Sequence, residues 1–91
     1  MPTAYILKSQ STGKFYIGSA LDLDQRLAEH LRGHSPYTRG RGPWTLAYSE
    51  DYATLPEARR RERQIKSWKS SRSVQELIDA AAFSTLVKHG A

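Results

Sequence analysis

Two β-leaning runs flank a tight turn near the N-terminus, and pairing between them limits what this chain can become. Residues 3–9 (Thr-Ala-Tyr-Ile-Leu-Lys-Ser) are mostly apolar, as a buried strand requires. Ser11-Thr12-Gly13-Lys14 is turn chemistry, with Gly13 free to take positive φ. Phe15 to Ser19 reads as the return strand. Each strand carries a phenol, Tyr5 in the first and Tyr16 in the second. Gly18 interrupts the second strand, where glycine means either a close approach to the backbone or a bend.

The rest of the chain supplies layers for this hairpin. A helix starts near Asp22, which has capping-box spacing to Gln25, and Gly33 is a natural stop after Arg32. Leu23, Leu27 and Leu31 form its apolar stripe, with Arg26 and His30 together along one edge. These two polar residues either converge on a site or simply snorkel from the rim of a packed face. Residues 34–43 form a basic loop containing Tyr37, Arg39 and Arg41, suited to phosphate contacts or to a solvated connection. A third strand, Trp44 to Tyr52, is read with Trp44, Leu46 and Tyr48 on one face and Thr45 and Ala47 on the other. Three strands with helices packed on them make an α+β domain.

Thr54-Leu55-Pro56-Glu57 opens a second helix that ends near Trp68. Leu55, Ala58, Ile65 and Trp68 face inward, and Arg59, Arg60 and Arg63 fan out on the other side. Glu62 falls inside the inward stripe. A carboxylate there is costly unless it is paired, with Arg26 or another arginine, or coordinates a cation. Ser73 and Glu76 have the capping-box spacing of a third helix, packed through Val74, Leu77, Ile78 and Ala81 and loosening beyond Phe83. Residues 1–82 are therefore read as one domain and 83–91 as a C-terminal tail.

Ninety-one residues suffice for one small domain that buries only roughly 60–65% of its unfolded surface. Cysteine is absent, which excludes disulfides and thiolate metal sites. With no long apolar run and no signal pattern, the expectation is a cytoplasmic protein with no membrane association. Fourteen lysines and arginines against nine acids give a formal charge of +5, and seven of the fourteen lie between Arg59 and Arg72. Such local density attracts polyanions.

Hydrolysis of a phosphodiester needs an activated water, charge relief on the phosphoryl oxygens and stabilisation of the departing oxygen. Tyr5, Tyr16, Arg26, His30 and Glu62 are residue types able to share that work. A lone carboxylate as protein ligand would imply a magnesium-like ion that keeps most of its waters. The metalloprotease, EF-hand and Walker patterns are missing.

These residues resemble the GIY-YIG nucleases, most closely the small single-domain bacterial members related to the nuclease domain of the UvrC excision-repair protein. The first family motif falls on Thr3-Ala4-Tyr5, degenerate except for its tyrosine, and the second is intact as Tyr16-Ile17-Gly18. Arg26 lies ten positions after Tyr16, as the family's catalytic arginine does, and His30 follows one helical turn later. A Glu-Ala-(x)3-Glu run ending at Glu62 matches the family's metal-binding glutamate. Ile65-Lys66-Ser67-Trp68, Tyr37-Thr38 and Pro43-Trp44 resemble the small subgroup, and the likeness spans roughly residues 3–79.

The resemblance implies a central three-stranded antiparallel β-sheet flanked by helices, and cleavage of DNA dependent on Mg2+ or Mn2+ bound at Glu62. Tyr5 would be the base with Tyr16 as its partner, Arg26 would clamp the phosphate and His30 would orient water or phosphate. Arg39, Arg41, Arg59, Arg63 and Lys66 are the expected DNA contacts, and a protein partner could supply targeting to a substrate in repair or processing. Two family features are replaced: Val74 stands where many members have asparagine, and Ser19 where some have lysine. The competing readings are a module that binds branched or damaged DNA but cuts poorly, and a domain whose basic face meets an acidic protein.

Overall fold

The computed structural model describes residues 1–32, 40 and 42–90, the last eight of these as helix backbone only. Arg39, Arg41, Gly33 and most of the loop read at 34–43 lie outside the described residues. The elements run β1 (Thr3–Ser9), β2 (Phe15–Ala20), α1 (Leu23–Leu31), β3 (Trp44–Asp51), α2 (Leu55–Ser67) and α3 (Ser71–Gly90). The strands form one antiparallel sheet in the order β2-β1-β3. This is the α+β architecture expected.

β1 is central because it can be buried on both faces. Ala4, Tyr5, Ile6 and Leu7 are each no more than 2% exposed. The hairpin to β2 closes through Gly13, which takes φ +73° and donates its N–H to the Ser9 carbonyl at 3.0 Å. Alternation along β1 then feeds two separate cores. Tyr5 and Leu7 pack with Ala20, Tyr16, Leu23, Leu27 and Trp44 beneath α1. Ile6 packs on the opposite face with Ile65, Val74, Tyr48 and Trp68 beneath α2 and α3. Each large apolar side chain buried this way contributes roughly 1.5–3 kcal/mol. Val74, where the resemblance leads one to expect asparagine, is thus a core residue here.

β3 departs from simple alternation. Ile6 faces Tyr48 but Leu7 faces Leu46, so Ala47 is the extra residue of a β-bulge. The bulge moves Tyr48 to the α2 face while Trp44 stays on the α1 face. The expected common face for Trp44, Leu46 and Tyr48 is therefore incorrect.

The helix starts follow the caps. Asp22 accepts from the Gln25 N–H and Thr54 from the Glu57 N–H. The third helix begins earlier than its expected cap at Ser73, because Ser70 Oγ accepts from the Ser73 N–H at 3.2 Å. Leu31, 76% exposed, lies outside the α1 stripe, and the last buried residue of that helix is His30. α3 continues past Phe83 to Gly90. No helix among the described residues is long and apolar enough to cross a membrane.

Candidate active site

Tyr5 and Gly18 are directly opposed across β1 and β2. A Cβ on Gly18 would lie 2.6 Å from the Tyr5 hydroxyl oxygen and 2.7 Å from Cζ, closer than side-chain packing allows. Glycine here provides the groove in which the first phenol lies, so close approach is the reason for Gly18. Tyr5 is 1% exposed, and its hydroxyl lies 3.0 Å from His30 Nε2. Tyr16 stacks edge-on to His30 with ring centroids 5.0 Å apart and lies 6.3 Å from Tyr5. Three groups expected to act together are thus one buried cluster on the α1 face.

Burial sets the protonation states of this cluster. It raises the Tyr5 pKa well above the ordinary phenol range, reinforced by the adjacent Tyr16 and the negative charge of Glu62, with Arg26 opposing. It also lowers the pKa of His30, helped by the Arg26 charge and opposed by Glu29. Neutral His30 accepts a hydrogen bond at Nε2 if its proton is on Nδ1, so Tyr5 can donate to it. Tyr5 has almost no surface to offer a water molecule, whereas Tyr16 is half-buried.

Arg26 stands at the rim with its side chain 47% exposed, 3.3 Å from Glu29. Glu62 is not in contact with these groups. Its side chain is 19% exposed on the α2 face, where it accepts from Ser19 Oγ and pairs with Lys66 Nζ, both at 2.5 Å. Of the alternatives for Glu62, a salt bridge to an arginine is not what forms: Lys66, expected on DNA, rests on the carboxylate. The i,i+4 spacing of Glu62 and Lys66 was a legible signal for this pair. Ser19, which alternation turns away from the phenols, is the residue that fixes Glu62.

The two faces meet at the outer edge of the sheet. β2 is an edge strand, and a cleft of about 230 Å3 opens at its end. Ser19 from β2, Arg26 and Glu29 from α1, and Arg59 from α2 all line it. Arg59, Arg60 and Arg63 are exposed as expected. A phosphate in that cleft would meet a lining that includes Arg26, Arg59 and Ser19, with Asp22 and Glu29 as its acidic members.

Arg61 has a different role from its basic neighbours. Its Nε lies 3.0 Å from Glu50 Oε1, and the same carboxylate accepts from the Tyr48 and Tyr52 hydroxyls. Arg61 also stacks on Trp68, 5.6 Å from the ring centre. This network ties α2 to β3 immediately beside Glu62. Burial and the hydrogen bond to Glu50 push the Tyr48 pKa up to about 12. No sequence pattern marks the network, since its members come together only in the fold.

Among the described residues no three acidic or histidine side chains gather as a metal cage. Glu62, largely buried, already holds a cationic group, the Lys66 ammonium, beside the Ser19 hydroxyl. A hydrated, magnesium-like ion would fit such a donor set, with Glu62 as the carboxylate that would hold it.

Residues 1–75 match the family model for the GIY-YIG catalytic domain. The chain belongs to the GIY-YIG family. A UPF0213 protein from Halobacterium salinarum is 42% identical over 67 residues, covering 72% of this chain and 86% of that one. A UPF0213 protein from Staphylococcus aureus is 43% identical over 65 residues, covering 70% and 78%. The solution NMR structure of a UPF0213 protein from Bacillus halodurans aligns with a TM-score of 0.56 at 34% identity, covering 88% of this chain and 85% of that one. GIY-YIG membership places the chain in a nuclease family.

Proposed function

We propose that this GIY-YIG protein is a divalent-metal-dependent endonuclease that hydrolyses DNA phosphodiesters in repair or processing. The reading is carried by the cleft at the end of β2, which Arg26, Arg59 and the Glu62-bound Ser19 line together. Arg26 exchanges Glu29 for the scissile phosphate, a trade of one half-exposed ion pair for a bidentate one. Tyr16, the more accessible phenol, meets the attacking water. Tyr5 takes the proton onward to Nε2 of neutral His30, so neither phenol has to persist as a phenolate in a buried site. Glu62 would hold Mg2+ or Mn2+, which when bound supplies charge neutralisation at the phosphate and the leaving oxygen. Arg59 and Arg63 extend the positive surface along α2, and Arg39 and Arg41 are proposed to do so from the preceding loop.

The test is cleavage of supercoiled plasmid and of branched duplexes with Mg2+ or Mn2+, by the wild type and by Glu62→Ala. Cutting lost by a factor of 100 or more, on the order of an essential electrostatic group, with DNA binding retained is the expected result. Equal slow cutting by both proteins would overturn the reading. The second reading, a module that binds branched or damaged DNA and cuts poorly, is favoured by Arg26 and Glu62 both being paired in the free protein. It predicts tight binding to branched duplexes with no metal-dependent product.

A further inference from the structure

Lys66 lies between two features that the proposed chemistry leaves unconnected. Its ammonium rests on Glu62 Oε2 at 2.5 Å, yet its side chain is 52% exposed against 19% for the carboxylate. The same residue lines a groove of about 350 Å3 with Lys14, Phe15, Ile17 and Lys69. Among the described residues no acid lines that groove. Lys66 also borders a smaller pocket lined by Phe15, Tyr16 and Ile17, so the basic surface continues onto the edge strand that carries Tyr16.

The groove fits one occupant better than others. Three ammonium groups, one of them resting on Glu62, in a groove that no carboxylate lines favour a polyanion. Aromatic and apolar surface between the lysines suits a nucleic-acid strand, whose bases can stack while its phosphates are neutralised. Continuity with Tyr16 suits the strand that carries the scissile phosphate.

Resting on the endonuclease reading, we propose that Lys66 is a substrate-operated gate on Glu62. In the free protein its ammonium covers the carboxylate. A nucleic-acid strand in the Lys14–Lys66–Lys69 groove draws the ammonium onto a phosphate and opens Glu62 to a divalent cation. The gate moves easily, because a half-exposed i,i+4 ion pair changes an equilibrium by at most about fivefold. Coupling of this kind is reciprocal: strand binding favours the cation and the cation favours the strand, by one factor. The protein thus loads its cation preferentially where there is a strand to cut.

The experiment titrates Mn2+ into the full chain, followed by the electron paramagnetic resonance of free Mn2+, with and without a short oligothymidylate. Wild type, Lys66→Gln and Glu62→Gln are compared. Without oligonucleotide, Lys66→Gln should bind Mn2+ about three- to fivefold more tightly than wild type. Oligothymidylate should then strengthen Mn2+ binding to wild type by a larger factor than to Lys66→Gln. Equal Mn2+ affinities for wild type and Lys66→Gln in the absence of DNA would overturn the gate. Wild-type Mn2+ affinity in Glu62→Gln would instead remove Glu62 as the cation holder, a failure of the underlying reading that is visible separately. Lys14→Gln and Lys69→Gln should each lower the salt slope of oligothymidylate binding by about 0.7. Unchanged slopes would overturn the groove as the strand's path.

Discussion

The two faces of the sheet hold their polar groups by opposite means. Under α1, the buried Tyr5 and His30 and the half-buried Tyr16 pack ring against ring without an ion pair among them. Under α2 the polar groups are ion pairs, Glu62 with Lys66 and Glu50 with Arg61, and each carboxylate also accepts from a hydroxyl. Neutral groups tolerate desolvation and become rigid; paired charges stay close to water and can exchange partners. A site that spans both faces therefore has a fixed half and a movable half.

The fixed half is most easily broken at Gly18. Gly18→Ala sets a Cβ 2.6–2.7 Å from the end of the Tyr5 ring, which is held on all sides and cannot swing away. Overpacking of this kind should cost about 2–3 kcal/mol and lower Tm by roughly 10–20 °C. In a Tyr5→Leu background the same substitution should cost much less, because the clashing atoms are gone. An unchanged Tm for the single variant would mean that Tyr5 is free to relocate, and the contrast between the faces would disappear.

The movable half contains one pair that should resist disruption and one that should not. Glu50 is shared by Arg61 and two phenols, with both ion-pair partners only about 20% exposed, at 20% and 21%. Glu50→Gln should cost about 2 kcal/mol in urea unfolding, as hydrogen bonds to a charged group do. Lys66→Gln, at a half-exposed pair, should cost under about 1 kcal/mol. Similar losses for the two would mean that Arg61 does not brace α2 more firmly than Lys66 does.

Much of this could be read in the sequence, for reasons that differ between the faces. The hairpin and both helix caps at Asp22 and Thr54 are local and follow from neighbouring residues, whereas Gly18 left a bend and a close approach open until Tyr5 was placed across from it. The fold class followed from them. The face of Tyr48 was not legible, because a bulge at Ala47 depends on how β3 pairs with β1 and leaves no composition signal. Glu62 was correctly singled out as an acid on an inward stripe, but its partners were not. Ser19 comes from another strand, and the nearer signal at Lys66 was read as part of a basic run. The Glu50 network, joining residues from β3 and α2, was invisible for the same reason.

Acid should separate the faces with the smallest perturbation. His30 has its pKa held below the ordinary 6.5 by burial and by Arg26, against Glu29, so below pH 6.5 the unfolded chain takes up the proton first. Its contribution is full above about pH 6.5 and is lost as pH falls through the lowered value. Glu50 is also depressed: although burial works against it, the Tyr48, Tyr52 and Arg61 hydrogen bonds hold it below the ordinary 4.5. Its contribution is full above about pH 4.5 and is lost only as acidity increases further. Tm measured from pH 7.5 to 3 should therefore fall in two steps, the first from the α1 face. His30→Gln, which keeps an acceptor for Tyr5, should remove the first step and leave the second, while Glu50→Gln should do the reverse. A first step that survives in His30→Gln would show that the imidazole is not the group through which acid reaches the buried cluster.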